Sequence, residues 1–341
     1  MSTPARDNHF VPQFYLRRWA QNDAAQVMAY RTLVSRAEVP EWTARSIKGI
    51  AFHRDLYAVL SSPELDEFER WIATEFEEPA QETLDRVLNG ERLKARDHER
   101  LGSFFAAQDV RTPASFFESQ ERWATQIPET LERTLNKAVA KLEAAHQTGT
   151  PLPPPAPGPN PFADALRFKI EPHVEGRSAI RVRVASGRAF WIAQMRSLLT
   201  GSAIAKLRSH KWSIVEPHGT AEWFTSDHPA MRLNFYSSES YDFGAGWDRH
   251  NCDLFLPLSP RHLLHAQVGT VHPERCTFGP EHSRLIQRLF AERANRWIFA
   301  RVPIASVAQD RPRIIDAGRF RAEEQFWANW DHANRKAEAD D

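Results

Sequence analysis

The sequence predicts an α+β fold, with a mostly helical N-terminal half packed against an antiparallel sheet formed largely by the C-terminal half. Three observations carry this expectation. Between residues 62 and 146 apolar side chains recur at helical spacing. Beyond residue 211 the period shortens toward two. A stretch that suits neither helix nor sheet, TPLPPPAPGPNP at 150–161, separates the two regimes. The expected division is therefore an N-terminal block, small β element and helical region over 1–149, a Pro-rich linker or loop over 150–161, a helix and sheet region over 162–321 and a charged tail over 322–341. With 42% hydrophobic residues in a chain of 341, these parts can bury a sizeable core and are expected to form one compact unit.

In chain order, the run Asn8-His9-Phe10-Val11-Pro12-Gln13-Phe14-Tyr15-Leu16-Arg17-Arg18-Trp19 holds too many large apolar groups to lie free in water. It is expected to pack into the body of the protein and to hold His9 in place. Pro12 suits the first turn of a short helix over 13–20 that buries Phe14, Tyr15 and Trp19. Residues 27–30 and 56–59 carry strand-type side chains, with Pro40 and Gly49 punctuating the polar stretch between them.

Ser62-Pro63-Glu64-Leu65 has the form of a helix cap with proline at the first position. Leu65, Phe68, Ile72, Phe76, Leu84 and Leu88 then keep helical spacing as far as Asn89-Gly90. A second helix begins near Ala95, places Leu101, Phe104, Phe105 and Gln108 on neighbouring turns, breaks at Thr112-Pro113 and resumes toward His146. Past the Pro-rich stretch, 187–211 reads as one amphipathic helix. Residues 212–215, 222–225, 231–235, 253–256 and 262–268 read as strands of one antiparallel sheet. A helix over 280–294, a strand over 297–302 and a charged helix from Ala322 that fades into disorder complete the chain.

Composition excludes some function classes. Lys+Arg 44 against Asp+Glu 44 gives a net charge of +0, which is not the footprint of a dedicated nucleic-acid binder, although a local basic patch for an anionic ligand or nucleic acid remains open. Cys252 and Cys276 lack the spacing of a zinc knuckle or a redox pair and read as small buried hydrophobes. No leader pattern and no apolar run of about 18 residues is present, so a cytoplasmic location without a membrane span is expected. GxGxxG, Walker A, HExxH, GxSxG and paired CxxC patterns are all absent.

Several polar residues are candidates for chemistry. His9, beside the rigid Pro12 turn, has the make-up of a general base or metal ligand, or of a structural histidine bonded to backbone. Thr225-Ser226-Asp227-His228-Pro229 follows the apolar pair Trp223-Phe224 at a strand end, where Asp227 suits either acid-base and metal work or capping of its own turn. Gln108 and Arg111 sit where a helix breaks, and the Arg111 guanidinium can clamp a phosphate or carboxylate or pair with Asp227 or Glu69 as structural glue. Glu69 and Glu77, near two turns apart, can share a helix face as carboxylates for a divalent ion or as a solvated surface. His262 and His265 fall on opposite faces of a strand, which disfavours zinc there.

These blocks together resemble the bacterial family known as domain of unknown function 4238. Its opening, His-x-Val-Pro-x-Phe-Tyr-Leu-x-x-Phe, is matched from His9 to Trp19, with Trp19 in place of the phenylalanine. Residues 52–57, the Glu69 and Glu77 helix, Gln108-x-x-Arg111-Thr112-Pro113, Thr225-Ser226-Asp227-His228-Pro229 and Phe255-Leu256-Pro257-Leu258-Ser259-Pro260 follow in family order. The Pro-rich stretch looks like an insertion, and relatives often carry Asn where this chain has His228. The resemblance implies helices with an antiparallel sheet and imports no established activity.

The residues support two readings of function. In the first, the polar groups join the two halves of a non-catalytic binding or regulatory module, with Gln13, Gln108 and Ser226 as binding groups. In the second, His9, Arg111 and Asp227 are the catalytic groups of a hydrolase, sharpest as a nuclease or phosphodiesterase, with Glu69 and Asp227 holding a divalent metal ion.

Overall fold

The computed structural model describes residues 7–21, 25–58, 66–149, 151, 167–172, 180–185 and 187–339, with the side chains of 167–172, 180–185 and 337–339 excepted. Its first elements are β1 (Asp7–His9), α1 (Gln13–Leu16) with a 3-10 turn (Arg17–Trp19), β2 (Gln26–Arg31), β3 (Leu33–Val34), β4 (Trp42–Ser46) and β5 (Phe52–Arg54). β1 pairs antiparallel with β5. The helical region is α2 (Glu67–Ile72), which runs through a π-turn (Ala73–Glu77) into α3 (Glu78–Leu88), then α4 (Ala95–Val110) and α5 (Pro113–Thr148). Between α4 and α5 the break falls at Arg111 and Thr112. Thr112 is extended and its Oγ1 accepts from Ser115 N at 3.2 Å, and Pro113 takes the first helical position.

β6 (Arg167–Pro172) and β7 (Ile180–Ala185) form an antiparallel pair. After them come α6 (Arg188–Thr200), α7 (Ser202–Ser209), β8 (Ser213–Glu216), β9 (Thr225–Ser226), β10 (Met231–Ser237), β11 (Ser240–Asp242), β12 (Asp253–Pro257), β13 (Leu263–Gln267) and β14 (Arg275–Thr277). The chain ends in α8 (Pro280–Arg293), β15 (Trp297–Ala300), α9 (Ala305–Asp310), β16 (Ile314–Ile315), α10 (Ala317–Ala328) and α11 (Trp330–Ala339). The fold is α+β.

Two sheets carry most of the strands. One has the order β11-β10-β12-β13-β8-β14, antiparallel except for the parallel β14–β8 edge. The other has the order β4-β2-β15-β9. Alternation along these strands sorts side chains between two cores. Ala29, Phe299, Leu254, Leu256, Ile214 and Leu264 face the core shared with the helical region. Tyr30, Ile298, Phe255, Val215 and Leu263 face the core shared with α8, through Ile286, Leu289 and Phe290. The sheets are thus a wall with the helical region on one side and α8 on the other.

Several expectations are corrected by these elements. The sequence pattern puts the strand near 222–225 in one sheet with those at 212–215, 231–235, 253–256 and 262–268, yet β9 leaves it to pair with β15, which in turn pairs with β2 of the N-terminal half, Phe299 lying opposite Thr225 on one side and Ala29 on the other. Residues 55–57 form a turn and not a strand. The strand lies just before, at Phe52–Arg54, and ends at Asp55, whose φ of 54° is outside the extended region, while Leu56 and Tyr57 still reach the core. The helix expected over 187–211 is two helices, split at Gly201. A Cβ on Gly201 would lie 2.6 Å from the Ser197 carbonyl oxygen, so the close backbone approach at this corner requires glycine. The charged tail does not fade from Ala322: Trp327 and Trp330 are buried, and Asp331 pairs with the buried Arg188 at 2.8 Å. The Ser62–Leu65 cap and the Pro-rich stretch, Pro151 apart, lie outside the described residues. Among the described residues no helix is long and apolar enough to cross a membrane.

Candidate functional site

The N-terminal block is built around Arg111. At the end of α4 its guanidinium turns back to the chain start, where Nε donates to the Phe10 carbonyl at 2.7 Å and Nη2 to the His9 carbonyl at 2.8 Å. Nη1 donates to Glu77, which the π-turn brings to this side of the helix. Tyr57 Oη donates to the Arg111 carbonyl at 2.6 Å. Asn8 donates to Glu69, whose carboxyl is pushed above its ordinary pKa by burial, with the Asn8 bond and Arg111 acting against it. Glu69 and Glu77 therefore converge on one block. The partner of Arg111 is Glu77, not the Asp227 or Glu69 named as glue from the sequence.

The His9 ring packs 5.5 Å from the Phe52 ring. Gln13 Nε2 lies 3.4–3.5 Å from both of its ring nitrogens, a weak contact. Burial lowers the His9 pKa, with backbone hydrogen bonds at Lys48 and Asp7 acting against it. Gln108 is fully buried, and its amide has no hydrogen-bond partner among the described residues.

Asp227 has a different set of partners. Its two oxygens accept from the backbone amides of Asn295 at 3.1 Å and Arg296 at 2.8 Å, so it ties the β9 turn to the start of β15. Burial raises its pKa to about 6 against those bonds. Ser226 Oγ accepts from His228 N at 3.1 Å, closing the same turn. Buried His228 accepts at Nε2 from Arg293 Nη2 at 3.0 Å, so its ring is neutral with the proton on Nδ1. Burial, then the charges of Arg293 and Arg232, hold its pKa well down. His9 and Arg111 are joined through backbone, whereas Asp227 shares no described contact with either.

The N-terminal block reaches the β9 turn by other side chains. Tyr15 Oη donates to the Pro257 carbonyl at 2.6 Å and lies 2.8 Å from Thr225 Oγ1. Trp19 Nε1 donates to the Trp223 carbonyl at 2.9 Å.

Glu69 and Asp227, the two carboxylates expected from the sequence to share a metal, have no partner in common, and among the described residues no group of three His, Cys, Asp or Glu side chains could hold a metal ion. His262 precedes β13 and has Ser259 Oγ 2.9 Å from its Nδ1. His265 Nε2 lies 2.8 Å from Asp253 Oδ1.

One open space adjoins the end of α4. It is a cleft of about 300 Å³ between α5, α6 and α7 and the 246–248 loop. Ser115, Ser119 and Arg122, one face of α5, form one wall, and Asp109, Arg232 and Trp247 form another. Asp109 Oδ2 accepts from Trp247 Nε1 at 2.8 Å and lies 3.1 Å from Arg232 Nε. Lys206 pairs with Asp248 at 2.5 Å. Arg122 donates to Ser119 Oγ at 2.9 Å, and among the described residues no carboxylate lies within 4.0 Å of it. Partial burial and then the like charge of Arg232 lower its pKa. This wall is absent from the residues that the sequence singles out, although its signal is legible: residues 115, 119 and 122 follow the Pro113 start at i, i+4 and i+7.

A family model described as a protein of unknown function, DUF4238, matches residues 7–302. No curated protein and no solved structure matches the chain.

Proposed function

We propose that this chain, which belongs to the DUF4238 family of proteins of unknown function, is a non-catalytic module that binds a small anionic ligand in the cleft beside α5. The observation that carries this reading is the way the signature side chains are engaged. Arg111 uses its guanidinium on two backbone carbonyls and Glu77, and Asp227 uses both oxygens on backbone amides. Groups occupied in this way hold a chain together and have little left for a reacting atom.

The charge of the cleft gives the sign of the ligand. Its lining has three cations, Arg122, Lys206 and Arg232, against two carboxylates, Asp109 and Asp248. Lys206 and Arg232 are matched by those carboxylates, whereas Arg122, with Ser115 and Ser119 beside it, feels Glu118 and Asp109 only from beyond ion-pair distance.

A thermal-shift screen of small mono- and dianions against wild type and Arg122→Gln tests the proposal. Stabilisation by an acid that disappears in Arg122→Gln supports it. A metal-dependent phosphodiesterase activity that disappears in a folded His9→Ala variant contradicts it.

A further inference from the structure

We infer that the far end of α5 is the surface through which two copies of this chain dimerise, as a parallel pair of helices. The helix is 36 residues long, and nearly every residue past Trp123 is exposed, among them Leu135, Val139 and Leu142 at 50, 51 and 55%. A lone helix is marginal in water, and in proteins most helical stability comes from packing an apolar face. This one has such a face. Leu131, Leu135, Ala138, Leu142 and Ala145 recur at intervals of four, three, four and three, the spacing by which two helices interlock.

The charges beside this stripe choose the partner. Between 129 and 148 every acidic and basic side chain sorts by sign: at about 3.6 residues per turn, Glu129, Glu132 and Glu143 fall on one flank of the stripe and Arg133, Lys137 and Lys141 on the other. All six are exposed. A parallel pair sets the acidic flank of each helix against the basic flank of the other on both sides of the seam, whereas an antiparallel pair sets like flank against like. A second copy laid parallel is therefore complementary to the first.

The rest of the chain leaves room for it. Phe116, Ser119 and Trp123, which bury the base of α5, lie about a quarter turn from the stripe, while Gln120 and Ala124, in line with it, are exposed. The two-fold axis then puts the two bodies on opposite sides of the helix pair. Arg122 of the cleft lies on the opposite side of the helix from the stripe, so dimerisation and anion binding are independent of each other.

Sedimentation equilibrium of the full chain tests the inference. Wild type is expected to reach the mass of two chains as concentration rises, and Leu135→Glu/Leu142→Glu to stay at the mass of one with a folded circular dichroism spectrum. Ala138→Cys, made with Cys276→Ser so that the other cysteine is the buried Cys252, is expected to cross-link two copies on mild oxidation, because a parallel pair sets residue 138 against its own counterpart. A wild type that is monomeric at every concentration overturns the inference, and a loss of fold in its two-glutamate variant would then mean that the chain covers its own stripe. A dimer that survives both glutamates, or one whose Ala138→Cys form does not cross-link, overturns it as well.

Discussion

Arg111 Nη2 donates to the backbone carbonyl of His9 at 2.8 Å, across 102 positions of sequence, and the same guanidinium holds Phe10 and Glu77. The relationship makes the family's opening motif and its Gln-x-x-Arg-Thr-Pro motif two halves of one structural joint. With the side chain 3% exposed, the joint is desolvated, so its hydrogen bonds cannot be replaced by water.

Removing the cation is therefore costly. Arg111→Ala leaves the Glu77 carboxylate and two backbone carbonyls without their donor, and a loss of roughly 3–5 kcal/mol is expected. Urea unfolding followed by tryptophan fluorescence measures it. A loss below about 1 kcal/mol would mean that the joint is not a structural centre.

The hydroxyl of Tyr15 links the N-terminal block to Thr225 and Pro257. Tyr15→Phe keeps the ring in the core and removes that link. The expected cost is about 1–2 kcal/mol, read from the same unfolding curves.

How much of this was legible follows from the range of each interaction. Period and capping residues are local, so α4, the break at Thr112-Pro113, α5, α8 and β15 could be read from Leu101, Phe104, Pro113 and their neighbours. Pairing partners are not local. Nothing near Trp297–Ala300 announces that this strand sits between β2 and β9, and nothing near Trp327 and Trp330 announces the aromatic cluster with Phe116, Phe117 and His53 that docks the tail. The signature residues were found because they are unusual in type, but their work, bonding to backbone far away, is invisible to spacing. The cleft was missed for the opposite reason: Ser115, Ser119 and Arg122 look like an ordinary solvated helix face until α6, α7 and the 246–248 loop close over it.

The two neighbours Asp227 and His228 give stability opposite dependences on pH. Asp227 has its folded pKa raised from 3.8 to about 6, so its contribution is present below pH 4 and lost as pH rises through 6, a difference on the order of 3 kcal/mol. His228 has its folded pKa lowered, so its contribution is present above pH 6.5 and lost as pH falls. Arg293, Arg232 and Glu118 face His228, and the Arg296 charge faces Asp227. Melting temperatures between about pH 4.5 and 7.5, the span that holds the folded pKa of Asp227 and the ordinary pKa of histidine, should fall less steeply with acid in His228→Asn, whose amide oxygen can still accept from Arg293. They should fall more steeply in Asp227→Asn. The same slope in all three proteins would refute the assignment.

The docked tail predicts its own mutational sensitivity. Trp330, 3% exposed, packs its ring against Phe116 at 5.0 Å and Trp327 at 5.5 Å. Trp330→Ala is expected to destabilise the whole protein by about 3 kcal/mol in a single transition. A local loss of helix at unchanged midpoint would show that the tail folds independently.

The most direct test of the central claim, that the signature residues build the scaffold and the cleft binds the ligand, is calorimetric titration of one stabilising acid into three proteins: wild type, folded His9→Ala and Arg122→Gln. The expected result is an affinity in His9→Ala within about twofold of wild type, and a loss of about tenfold or more in Arg122→Gln, the scale of one charge-assisted hydrogen bond. Retained binding in Arg122→Gln with lost binding in His9→Ala would contradict the account.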